Sequence, residues 1–162
     1  MLTRYTMFAG YNAWCNERLY DATARVDDGD YRADRGAFFK SLHGTLNHLL
    51  LGDRIWMTRF EGGSHPSTNL DAILFDDFVA LRGALADMDR RIEDFFSSLP
   101  ADFPGRSIRY VNNAGVDSDD PVDVLLPHFF NHQTHHRAQV HTLLSQLGRA
   151  PPSLDLHRAL RP

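Results

Sequence analysis

Four long stretches in which apolar residues return at the period of an α-helix limit this chain more than any other feature. Across residues 2–25, Met7, Tyr11, Trp14, Leu19 and Ala22 recur mostly at three- or four-residue steps, which puts them on one helical face. A second stretch, residues 37–60, repeats with Phe38, Leu42, Leu46, Leu49, Ile55 and Trp56. The third, residues 71–99, carries Phe75, Phe78, Leu81, Leu85, Met88, Ile92, Phe95 and Phe96, with Asp71, Asp76 and Asp77 where a helix dipole favours acid. A fourth opens near Pro121, with Asp119 or Asp120 as its N-cap, and stops at Gly148 with Pro151 just beyond.

The links between these stretches are polar and broken by glycine and proline, as in "DDGDYRADRG" and "EGGSHPSTN". Within the link before the last stretch, "RSIRYV" alternates polar and apolar residues and predicts a short strand or hairpin arm. The tail to residue 162 predicts a turn of helix. The expected architecture is an all-α four-helix bundle with a possible strand pair or terminal helix, forming one domain over residues 1–162. Periodicity leaves the order of the helices open.

Composition narrows the function. The chain has 162 residues, 43% hydrophobic and 23% charged, the balance of a globular core rather than a disordered chain. Its net charge of -4, with no stripe of lysine or arginine, argues against direct nucleic-acid binding. No apolar run is long enough to span a membrane, and the N-terminal stretch lacks the apolar core of a secretory signal. Cys15 is the only cysteine, so internal disulfides are excluded, and a reducing, cytoplasmic location is expected. Cys15 itself reads as a small buried hydrophobe rather than a nucleophile.

Nine histidines are an excess, and they concentrate in "FFNHQTHHRAQVHTLLSQLG". His132 and His136 are four apart and so share a helical face. They fall inside the apolar stripe formed by Leu125, Phe129, Val140 and Leu143, which points them into the bundle. Imidazoles in an apolar stripe need partners. Two readings satisfy them: hydrogen bonds within the core, or one divalent ion bound by both. His48, inside "TLNHLLLGDRIW", faces inward by the same periodicity and supplies a third ring. Three such rings leave coordination positions for water or a substrate, as catalytic sites require. Proton competition with the metal is expected near the ordinary histidine pKa of about 6.5. His43 reads as a surface residue, as do His65 and His157.

"NHQTHHRAQVHTLLSQLG" resembles the C-terminal signature of the DinB family, the damage-inducible, DinB/YfiT-like metal-binding four-helix bundles. "LNHLLLGDRIW" and "YNAWCNERL" are similar to the motifs of its second and first helices. The likeness covers nearly the whole chain in the expected order. It implies a bundle whose second and third helices are joined by a long crossover. It also implies a histidine triad on His48, His132 and His136. Ala138 stands where the family usually has glycine, a change that favours helix and leaves the ligands in place.

By this resemblance the protein is expected to bind zinc or nickel. A thiol-dependent transferase or a hydrolase acting on a small molecule follows from the same likeness, with a low-molecular-weight thiol as co-substrate. A non-catalytic metal-binding stress-response protein is the alternative. His128, Gln139, Asn12 and Asn16 are candidate supports for the site or its substrate, each also explicable as an ordinary polar side chain. Arg137 reads as an anchor for an anion or as half of a surface salt bridge. Asp53 is off the face of His48. Adjacent phenylalanines such as Phe38–Phe39, Phe95–Phe96 and Phe129–Phe130 point about 100° apart on a helix. Hiding both members needs a wide apolar arc or an interface, and a homodimer is expected.

Overall fold

The structure is a computed structural model that describes residues 2–64 and 69–160; His65 lies outside the described residues. Four long helices form the body: α1 (Leu2–Thr23), α3 (Leu42–Phe60), α4 (Phe78–Ser98) and α5 (Val122–Gln146). Two short helices, α2 (Asp28–Arg32) and α6 (Leu156–Ala159), fill the first link and the tail. A 3-10 turn at Phe103–Gly105 precedes a hairpin of β1 (Ser107–Val111) and β2 (Asp117–Pro121). Its strands are antiparallel, with Arg109 opposite Asp119. The fold is therefore all-α with an added strand pair. α1 packs chiefly against α4 and α5, and so does α3. The link from α3 to α4, residues 61–77, is the long crossover. No helix among the described residues is long and apolar enough to cross a membrane.

Two helix starts differ from the periodicity, each because a local polar group sets the boundary, and the cap of a third differs from the expected one. α3 begins at Leu42 rather than near residue 37, because the Ser41 hydroxyl caps it by accepting from the Gly44 N–H at 3.1 Å. Ala37 and Lys40 pair in a tight bridge ahead of that cap, with Lys40 at φ 68°. Gly44 is required here: a Cβ on it would sit 2.2 Å from the Phe39 carbonyl oxygen. α4 begins at Phe78, capped by Asp77 onto the Ala80 N–H. Neither Asp119 nor Asp120 caps α5. Both belong to β2, and Pro121 occupies the N-cap position with no side-chain bond.

Within a largely leucine core sits an aromatic cluster. Phe96, Phe129 and Phe130 contact one another, and Tyr5 lies against Phe130. Both Phe129 and Phe130 are buried, while Phe95 is partly covered and stacks on Phe60. Among the phenylalanines behind the dimer expectation only Phe38 is strongly exposed, at 82%. Phe38, Phe39 and Phe75 lie outside helices, so the wide-arc geometry does not apply to them. Cys15 is fully buried, and burial pushes its thiol pKa up.

Candidate metal centre

His48 enters from α3, and His132 and His136 enter from successive turns of α5. One nitrogen from each ring lies within 4.8 Å of the others. The Nε2 atoms of His48 and His132 are 3.3 Å apart. Two nitrogens bound to one tetrahedral ion at about 2.0–2.1 Å would be separated by roughly 3.3 Å, so this pair fits a shared ion. No carboxylate joins the group among the described residues.

Hydrogen bonds on the far side of two rings decide which nitrogen faces inward. His48 Nδ1 is 2.8 Å from the Leu70 carbonyl oxygen, which can only accept. Nδ1 therefore carries the proton, and the Nε2 lone pair is free. His136 Nδ1 donates to Gln139 Oε1 at 2.8 Å, while the Gln139 amide nitrogen faces His135 at 3.4 Å. Nδ1 of His132 is buried and has no partner among the described residues. The Phe39 ring stacks on His48 at 3.7 Å between centroids and roofs the cluster.

Burial depresses all three basicities. His132 is lowered to about 3, first by desolvation and then by the nearby His136 and His48 rings. His136 is lowered to about 4 by desolvation, against a raising hydrogen bond to Gln139. His48 moves the same way, chiefly by burial. The His132 and His136 rings therefore stay neutral well below pH 6.5, and proton competition with a metal moves to lower pH than the sequence alone suggested.

Gly52, one turn after His48, determines how closely α5 approaches. A Cβ at Gly52 would lie 2.8 Å from His132 Cε1. Beyond the rings opens a cleft of about 460 Å³, walled by His48, Trp56, Tyr110, Leu125, His128 and His132. The His128 ring meets Trp56 edge-on at 5.0 Å and lies 6.1 Å from His132, so it lines the cleft beside the cluster. A second depression, of about 690 Å³, lies between the hairpin and Gly62–Gly63 and is lined by no histidine among the described residues.

Asn12 and Asn16 go elsewhere. Asn16 Nδ2 donates to Asp89 Oδ1 at 2.7 Å, and Asn12 Oδ1 accepts from Arg137 Nη1. Arg137 is buried rather than at the surface, and it also donates to Gln133 Oε1 at 3.2 Å. Gln133 in turn donates to Asp53. His43, expected at the surface, is 7% exposed. The crossover covers it, and its Nε2 meets the Phe75 carbonyl at 3.1 Å. His135 and His157 are exposed. Sequence reasoning passed over Gly52 and Asn47. The Asn47 Oδ1 accepts from the N–H groups of Leu74 and Phe75, pinning the crossover to α3. Its position directly before His48, on a face the crossover covers, was the available sign.

A helical bundle with an inward histidine triad shared by its second and fourth long helices defines a class. The chain belongs to the DinB family, whose model matches residues 1–162. It is similar to the protein DinB of Bacillus subtilis (strain 168), 24% identical over 154 residues that cover 90% of this chain and 87% of that one.

Proposed function

We propose that this DinB-family protein is a metal-dependent enzyme of the thiol-dependent transferase or hydrolase type, in which His48, His132 and His136 hold one zinc or nickel ion through Nε2. The observation that carries this reading is the convergence of three imidazole nitrogens within 4.8 Å, two of them fixed in the metal-binding tautomer by partners at Nδ1. A divalent ion supplies a Lewis acid that activates whatever occupies its remaining coordination positions.

The chain's own residues do the rest. Leu70 O and Gln139 orient the rings, Phe39 excludes water from one side, and the cleft beyond His132 receives a small molecule and a thiol co-substrate. His128 edges that cleft. Residues 1–162 act as one domain, in the cytoplasm, without nucleic acid as a partner. The protein pairs as a homodimer, with exposed Phe38 a candidate contact; light scattering at twice 18.4 kDa supports pairing and 18.4 kDa opposes it.

Elemental analysis of protein purified without a histidine tag tests the centre. About one divalent ion per chain is expected, falling to background in His132→Ala and His136→Ala. Full occupancy in the His48→Ala, His132→Ala double variant would remove the assignment. Turnover assays with thiols and electrophiles then separate the enzyme from the alternative, a metal-binding stress-response protein without catalysis.

A further inference from the structure

The cleft beside the histidines also meets a cation that has no anion among the described residues. Arg59 lies near the end of α3, eleven residues after His48, which is roughly 16 Å farther along the helix axis. The residue is 7% exposed. Two aromatic rings, themselves edge-on to one another at 5.7 Å, flank its guanidinium: the carbon lies 4.8 Å from the Trp56 centroid and 4.2 Å from that of Tyr110. The group carries five N–H donors in one plane. One of these donates to the Val111 carbonyl at 3.3 Å.

No carboxylate pairs with Arg59 among the described residues. Asp119 is committed to Arg109 at 2.9 Å, and Asp120 accepts from the Tyr110 hydroxyl at 2.7 Å. Arg137, the other arginine buried to this degree among the described residues, is by contrast held by Asn12, Gln133 and Thr134. Burial opposes the Arg59 charge and lowers its pKa. A buried cation without a counter-ion is costly, so its retention calls for an anion that arrives from outside.

The same 460 Å³ cleft is lined by Arg59 and by His48 and His132. Ile55, Val124 and Leu125 give it an apolar wall, while Asn112, Asp120 and His128 add polar groups to the rest of the lining. We infer that Arg59 is the receptor for a carboxylate on the substrate, which is a small apolar or aromatic monocarboxylate whose reacting end lies at the histidines. A monoanion fits better than a phosphate. One guanidinium edge matches one carboxylate in a bidentate pair, whereas a dianion would face Asp120 in the same cleft. This inference rests on the cleft being the substrate site of the proposed enzyme.

Isothermal titration of the full chain with 3-phenylpropanoate and with its neutral amide tests it, with metal content measured on the same samples. Wild type is expected to bind the acid at least tenfold more tightly than the amide. Arg59→Gln should bring the two within twofold, and Arg59→Lys should keep part of the preference. His136→Ala should keep all of it, which separates this claim from the metal reading. Thermal melts of the Arg59 variants identify any loss of fold, and the lysine variant then stands as the deciding one. Equal binding of acid and amide by wild type, including no binding of either, overturns the inference. So does a preference that survives Arg59→Gln and disappears in His136→Ala, since the carboxylate would then sit at the histidines.

Discussion

Two polar clusters lie inside the same bundle, and α3 and α5 contribute to both. At the rim, His48, His132 and His136 converge, and the first two line a cleft. In the interior, Asp53, Gln133, Arg137, Asn12, Asn16, Tyr20 and Asp89 connect all four long helices. Gln133 follows His132 and Arg137 follows His136, so α5 presents one cluster and, about 100° around its axis, the other. The interior cluster satisfies its groups with protein partners, leaving Asn16 Oδ1 as its one unpartnered atom among the described residues. In the rim cluster, the Nε2 atoms of His48 and His132 meet one another and no other donor or acceptor among the described residues. Hydrogen-bond saturation thus separates polar residues that tie helices together from polar residues kept ready for a ligand.

The largest effect that could break this comparison is on stability. Arg137→Met removes the only cation of the interior cluster and is expected to cost about 3–5 kcal/mol in urea unfolding, because it strands buried partners. The folded fraction should bind metal as wild type does. A loss below about 1 kcal/mol would show that the interior cluster does not hold the helices. Gln139→Ala acts in the opposite sense. It frees His136 Nδ1, and zinc affinity measured by chelator competition should fall about 10–100-fold with little change in stability.

Gly52→Ala sharpens the contrast within a single residue. The added methyl collides with His132, so zinc affinity should drop about tenfold. The metal-free fold gains up to about 1 kcal/mol of helix propensity, less whatever the collision costs. Loss of stability with unchanged affinity would show that α5 shifts as a whole and the cluster survives.

The smallest effect is a pH slope. His132 and His136 have folded pKa values of about 3 and about 4, below the ordinary 6.5. The unfolded chain therefore holds more protons between pH 6.5 and about 4, and acidification across that window destabilises the metal-free protein. Asp89 has the opposite sign. Burial, against hydrogen bonds from Asn16 and Tyr20 and the nearby Arg137 charge, raises it to about 6 from 3.8, so acidification from 6 to 3.8 stabilises. Asp53, the buried carboxylate on α3, is also raised. Urea midpoints at pH 6.5 and 4.5 should fall more steeply in Asp89→Asn than in wild type. In a His132→Gln, His136→Gln double variant they should flatten or rise. Parallel slopes in the two variants would refute the opposed signs.

The helices, the strand arm in "RSIRYV" and the inward histidines were readable because each depends on period, and period survives in sequence. Boundaries were not. Leu42 and Phe78 begin helices because Ser41 and Asp77 cap them, while Phe39 and Phe75 lie in links that fold back over the bundle; their apolar character mimics a helix face. The destination of Asn12 and Asn16 was hidden for a related reason. Their i, i+4 spacing says they share a face, but only the position of α4 decides that Asp89 meets them. His43 and Arg137 were misplaced because a charged or titratable side chain reads as exposed until the group that covers it is known.

The Asn47 clasp over Leu74 and Phe75 has a consequence in the time order of synthesis. It closes across 27 and 28 residues, whereas His48 and His132 stand 84 apart. At about 5–20 residues per second, about 4–17 s separate the making of His48 from that of His132. A nascent chain can therefore fasten its crossover while it still carries a single imidazole of the set. The three-histidine cluster is completed only with the last long helix.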